Sequence, residues 1–181
     1  KYCNRCQKAN FVFEKGIAVF SYQTIRQTIF HFKFRYFKRD AIPLGKIMGD
    51  YLLTYYPEWK EKVELIIPVP MFEKKQKIRG FNQSELLAEV LAERIHKQCS
   101  KNNLKRIRNT TPQNTLNAEQ RKQNLKGAFA LENNQEIDGK TILLIDDIFT
   151  TGTTVNECAK ILYHNGAKKV LFFALCVAEG E

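Results

Sequence analysis

Two adjacent carboxylates, Asp146 and Asp147, close the apolar run Ile142-Leu143-Leu144-Ile145 and precede the small-residue stretch Thr150-Thr151-Gly152-Thr153-Thr154. An apolar run this short, without alternation, reads as a strand buried on both faces. Val155, Ala159 and Leu162 recur at helical spacing beyond the stretch. The expected order is a buried strand ending on the acids, a hydroxyl-and-glycine loop, then a helix N-terminus. Ligands of open α/β sheets sit at the carboxyl ends of such strands. A helix N-terminus offers a phosphate unpaired N–H groups and partial positive charge. Gly152 would let backbone approach the phosphate oxygens, and the threonine hydroxyls add donors. The acids would repel a phosphate but suit sugar hydroxyls or a metal ion. A sugar phosphate satisfies both halves of the motif.

Other readings of the same residues remain open. One is an ordinary crossover with a threonine-rich N-cap. Another is a receiver-type acid pocket, which has no need of the threonines. A nucleotide-binding P-loop requires G-x-x-x-x-G-K-[ST]. Gly139-Lys140-Thr141 supplies its last part, but position 134 is Asn and Gly139 precedes the strand instead of following it. That reading fails.

Three stretches together carry a family resemblance. LLIDDIFTTGTT (143–154) resembles the 5-phosphoribosyl 1-diphosphate (PRPP) motif of type I phosphoribosyltransferases. IIPVPMFEKKQKIRGFNQSELLA (66–88) and TPQNTLNAEQRKQNLKGAF (111–129) are similar to the competence-protein ComF family, which includes GntX-like proteins. The resemblance implies a single α/β domain with a mostly parallel central sheet and a mobile basic hood loop. It implies that Asp146 and Asp147 hold the ribose hydroxyls and Thr150, Thr151, Gly152, Thr153 and Thr154 the 5′-phosphate. Gln113, Arg121 and Asn124 match the family's hood residues, which would close over diphosphate and exclude water. Mg²⁺ would accompany PRPP. DNA uptake is the implied context, with a competence helicase-like protein as a possible partner.

The elements that must position these groups follow from the rest of the chain. Phe11–Tyr22 reads as one or two strands. Thr24–Arg39 alternates aromatic and basic residues like a strand, yet Ile25, Ile29, Phe32 and Tyr36 also fit a helix face, and the resemblance favours the helix. A helix is expected within Pro43–Trp59, ended by Pro57, and a buried strand over Val63–Val69. Lys74–Gly80 reads as a basic loop ahead of a helix capped by Asn82 with Glu85 three residues on. Lysine and arginine there would neutralise charge on a leaving diphosphate, with Arg79 first and then Lys74 and Lys75. Asp146, Asp147 and Arg79 are thus the candidate catalytic residues. Leu104–Arg108 is an expected strand, Ala118–Lys126 a basic helix, and Phe129–Leu131 a return to the sheet. Val170–Val177 is a further buried strand. His31, His96 and His164 are isolated and take no catalytic role.

The chain has 181 residues, 44% of them hydrophobic, enough for one domain with a sizeable core. No apolar run approaches the roughly 18 residues of a membrane span, so no membrane insertion is expected. No signal peptide is evident, and Lys1 in place of a start methionine suggests N-terminal trimming. Five cysteines, an odd number, argue for a reducing cytoplasm over a disulfide framework.

Net charge is +10 and uneven: ten Lys/Arg against four Asp/Glu in 1–59, fifteen against seven in 60–126, four against eight in 127–181. A solubilising surface explains this as well as a polyanionic partner does. Aromatic and basic residues around Lys33, Arg35 and Lys38 would suit single-stranded nucleic acid. A helix with buried aromatics is the plainer alternative.

Cys3 and Cys6 form one C-x-x-C, half of a four-ligand zinc site. The resemblance makes residues 1–10 the remnant of a zinc ribbon whose upstream pair is absent, and residues 11–181 the phosphoribosyltransferase-like domain. Zn²⁺ is therefore an expectation for a longer chain. Two functions stand after this reading. One is Mg²⁺-assisted transfer of a phosphoribosyl group from PRPP to an unidentified acceptor. The other is a non-catalytic, PRPP-sensing accessory protein that binds single-stranded DNA.

Overall fold

The computed structural model describes residues 10–33, 35–109 and 124–178, with backbone alone for 35–37. Among the described residues the central sheet has five strands in the order β1-β7-β6-β2-β3, every neighbouring pair parallel. These are β1 (Lys15–Ser21), β2 (Leu65–Pro68), β3 (Gln98–Cys99), β6 (Thr141–Phe149) and β7 (Lys169–Val177). Strands β4 (Leu104–Arg106) and β5 (Phe129–Leu131) pair antiparallel in a separate two-stranded sheet. Phe129–Leu131 therefore does not rejoin the central sheet. Its partner is β4, ahead of it in the chain.

The continuous apolar run of β6 is explained by cover on both faces. Leu143 and Ile145 join a core with Ile29, Phe32, Met48, Leu52, Leu87 and Leu91. These come from α1 (Tyr22–Phe32), α2 (Ala41–Tyr55) and α5 (Gln83–Ile95). Ile142 and Leu144 join the opposite core with Val155, Cys158, Ala159 and Leu162 of α6 (Thr153–His164), and with Leu104 and Phe129 of the small sheet. Alternate residues of one strand thus feed two cores, so neither face can be polar.

Several expected boundaries move, each for a physical reason. Strand β6 does not stop at the acids: Asp146 pairs with Ala174 and Phe149 with Val177, because the long β7 continues the ladder. Phe11–Tyr22 holds one strand. Thr24–Arg39 divides into α1, capped by Ser21 Oγ accepting from Thr24 N at 3.3 Å, and a 3₁₀ turn at Arg35–Asp40. Tyr56 ends α2, and Pro57 opens the short helix α3 (Pro57–Lys62), where its missing N–H costs nothing.

The expected basic loop is the helix α4 (Glu73–Arg79), which buries no residue and so shows no apolar period. Good helix formers, the exposed Glu73–Lys77 ion pair and left-handed Gly80 (φ 89°) define it instead. Among the described residues no helix is long and apolar enough to cross a membrane.

Chain direction places the site. From β2 the chain moves outward to β3, whereas from β6 it moves the opposite way to β7. The reversal lies between β2 and β6, where ligands of doubly wound sheets bind. Strand β2 leaves the ladder after Pro68, and its last backbone bond is Val69 N–H to Ile145 O at 2.8 Å. Asp146 and Asp147 follow directly, so one side of β6 opens into a crevice at the acids.

Candidate functional site

That crevice is a cavity of about 330 Å³. Val69, Pro70 and Met71 line one wall, and Asp146, Asp147 and Ile148 the floor. Thr150 and Thr154 bring the α6 N-terminus to it, while Lys33, Lys75, Arg79 and Arg106 add positive charge.

The two acids live in different surroundings, because neighbours on a strand project to opposite faces. Asp147 faces Lys33 at the end of α1, Oδ2 to Nζ 3.6 Å. Asp146 Oδ1 accepts from Ser84 Oγ at 2.8 Å and from the Asp147 N–H at 2.9 Å. Burial, then the adjacent Asp147 charge, pushes the Asp146 carboxyl well above the usual aspartate range.

The cations crowd one another. Burial lowers the Lys75 pKa, and the charges of Arg106 and Arg79 lower it further. Arg106 reaches in from β4, its guanidinium 5.7 Å from the centroid of the Phe129 ring. Arg79 Nη1 donates to Gln83 Oε1 at 2.9 Å. Asn82 Nδ2 donates to Val69 O at 3.1 Å, and its Oδ1 accepts from Ser84 N at 3.2 Å, tying the start of α5 to the turn after β2. An anion entering this corner would relieve repulsion already present.

Gly152 has φ +76°, a left-handed conformation that side chains rarely adopt, and it caps α6. A Cβ there would stand 2.6 Å from Phe11 Cε1 and 2.8 Å from Phe149 Cζ. Glycine is required here by two aromatic rings as well as by the backbone. Valine at this position would disturb the fold whether or not a phosphate binds. Phe11, Phe13, Phe149 and Phe172 pack as a cluster, with Phe149 and Phe172 centroids 5.2 Å apart, and brace the loop from outside the cavity.

A family model described as "Phosphoribosyl transferase domain" matches residues 82–180, more than half the chain. The chain is 33% identical over 176 residues to the DNA utilization protein YhgH of Shigella flexneri, covering 96% of this chain and 77% of that protein. It is 31% identical to competence protein F of Haemophilus influenzae, over 98% and 79% of the two chains. The chain belongs to the ComF family. The sheet and the matched domain make this ComF-family chain a type I phosphoribosyltransferase fold. A solved structure that resembles it is the glutamine PRPP amidotransferase of Bacillus subtilis complexed with ADP and GMP, at TM-score 0.49 and 17% identity over 75% of this chain and 26% of that one.

Of the residues singled out in the ComF-family sequence, Asp146, Asp147, Thr150, Thr154, Lys75 and Arg79 line one cavity. The hydroxyls of Thr151 and Thr153 lie 2.9 Å apart, beside the lining instead of in it. Lys74 is exposed and outside the lining, and Asn124 is half-buried and also outside it. Gln113, Arg121, Cys3 and Cys6 lie outside the described residues, as does most of the expected helix Ala118–Lys126.

Lys33, grouped by sequence with Arg35 and Lys38 as a nucleic-acid patch, instead faces Asp147 in the cavity. Lys38 is exposed. The structure adds Asn82, Gln83, Ser84 and Arg106 to the lining. The first three stand in the quoted RGFNQSELLA stretch, the signal that would have found them. Arg106 has no local signal: an alternating basic strand reads the same whether it faces solvent or a site. The thiols of Cys99 and Cys176 are pushed up to about 12, mainly by burial, and burial also raises Cys158. A raised pKa leaves little of the nucleophilic thiolate at neutral pH.

Proposed function

We propose that this chain binds PRPP, with Mg²⁺, in the crevice between β2 and β6. The observation that carries the reading is one cavity lined by two carboxylates, a helix N-terminus with threonines, and the crowded cations Lys75, Arg79 and Arg106. The acid side suits ribose hydroxyls, the α6 N-terminus the 5′-phosphate, and the cation corner the diphosphate. The carboxylates are hard oxygen donors of the kind Mg²⁺ takes. Among the described residues no group of three or more His, Cys, Asp or Glu could hold a metal. Asp146 and Asp147 would therefore hold Mg²⁺ together with oxygens of the ligand, as is usual for this ion. When bound, Mg²⁺ would neutralise diphosphate charge. Arg79 and Lys75 would act on the same charge as the C1–O bond breaks, and the hydrogen bond to Gln83 would hold Arg79 in place.

Calorimetric titration of the protein with PRPP and Mg²⁺ tests this reading, and a micromolar affinity is expected. No heat at millimolar PRPP would reject it. Diphosphate release on incubation with PRPP and candidate acceptors would then mark a transferase, and its absence a sensor.

A second reading, single-stranded DNA binding in DNA uptake or utilisation, is supported by the excess positive charge of residues 1–126 and by the relatives' names. It is compatible with the first.

A further inference from the structure

Gln83 is the second residue of the Asn82-Gln83-Ser84 corner, 1% exposed, and it lines the cavity. Its orientation is decided by its neighbour. A guanidinium carries donors only, so the amide oxygen must be the atom facing Arg79, and Oε1 accepts from Nη1 at 2.9 Å. The amide nitrogen is thereby turned the other way. Nε2 is buried and has no hydrogen-bond partner among the described residues. Buried donors are nearly always satisfied, and leaving one unmade is costly. A methionine would fill the same volume without that cost, so the amide is a poor choice for packing alone. Asn82 and Ser84 on either side have their polar atoms engaged with Val69 and Asp146. Gln83 is the member of the corner with a donor still to place.

We infer that Gln83 is a ligand-positioning residue that holds the Arg79 guanidinium through Oε1 and keeps Nε2–H for an anionic oxygen on the diphosphate side of the cavity. The inference rests on the PRPP reading and adds to it a residue and a direction. One side chain would both aim a cation and supply a neutral donor. The corner could then address the diphosphate with two different donors, the Arg79 guanidinium and the Gln83 amide.

The test compares the parent with Gln83→Met and Gln83→Glu in calorimetric titrations with PRPP, inorganic diphosphate and ribose 5-phosphate, each with Mg²⁺. Met removes both contacts without adding charge. Glu keeps an acceptor for Arg79 but replaces the donor. Both variants are expected to bind PRPP and inorganic diphosphate about ten- to a hundredfold more weakly. Ribose 5-phosphate affinity should stay within about threefold, since it lacks the diphosphate. The ligand-free Tm of Gln83→Met should equal or exceed that of the parent. Unchanged diphosphate affinity in both variants, equal losses for both probes, or a marked fall in the ligand-free Tm of Gln83→Met would each overturn the inference while leaving PRPP binding intact. A parent protein that binds no PRPP would remove the proposed function and this role together.

Discussion

Asp146 and Asp147 are adjacent in the chain and unlike in chemistry. Asp147 has a lysine opposite it, while Asp146 is half-buried beside another carboxylate and accepts from the Ser84 hydroxyl and the Asp147 N–H. A raised folded-state pKa means that the folded chain binds a proton more tightly than the unfolded chain does. Stability therefore falls as pH rises from the ordinary aspartate value toward the raised one, and the full penalty stands above it. Asp146→Asn keeps an acceptor for Ser84 and for the Asp147 N–H, and removes the charge. The variant is expected to be more stable than the parent at neutral pH, with a higher Tm. The gap should close as pH is lowered toward about 4, and PRPP affinity should drop. Thermal unfolding across that pH range checks the sign, and a variant less stable than the parent at neutral pH would contradict it. At this scale residue types were legible from sequence: a short apolar run, two acids and a threonine loop announce their chemistry. Environments were not. That Gly152 answers to Phe11, or that Gln83 holds Arg79, depends on which side chains tertiary folding brings together.

At the scale of elements, what declared itself was whatever buries a face. Strand β6 and helix α6 announce themselves through apolar period; α4 buries nothing, and its sequence reads as a basic loop. Lys33 shows the same limit from the other side. Sequence proximity groups it with Lys38, but it sits where α1 ends, and that end points at the floor of the cavity. The ion pair itself stabilises little, about 0–1 kcal/mol, since Lys33 is 35% exposed. Its position matters more. Lys33→Glu would place a negative charge beside Asp147 and the incoming phosphates. It is expected to weaken PRPP binding about tenfold or more, while Lys38→Glu changes it less than about twofold. Equal effects of the two reversals, measured by titration, would show that the stretch acts as a diffuse field and that Lys33 has no place in the site.

Across the whole molecule, charge divides along the chain. The segment bearing the acid pair is net negative, and everything before it is net positive. If residues 1–126 carry single-stranded DNA, its affinity should fall steeply with salt, with a slope of about −0.7 in log K against log salt for each phosphate neutralised. PRPP affinity in the more enclosed cavity should respond less. Fluorescence anisotropy of a labelled oligonucleotide over a salt series measures the slope. A flat response, or no binding at low salt, would leave the positive charge to solubility or a protein partner.

Among the described residues strand β1 has a single neighbour in the sheet, β7, and the register sets Lys15 beside Leu171. A ribosome adding about 5–20 residues per second needs on the order of ten to thirty seconds to travel between them. Throughout that interval β1 has no native edge to join. Phe11 and Phe13, which support the loop after β6, likewise wait for Phe149 and Phe172. The nascent chain thus exposes one of its most aromatic segments longest. Its partner arrives only when Lys169–Val177 emerges.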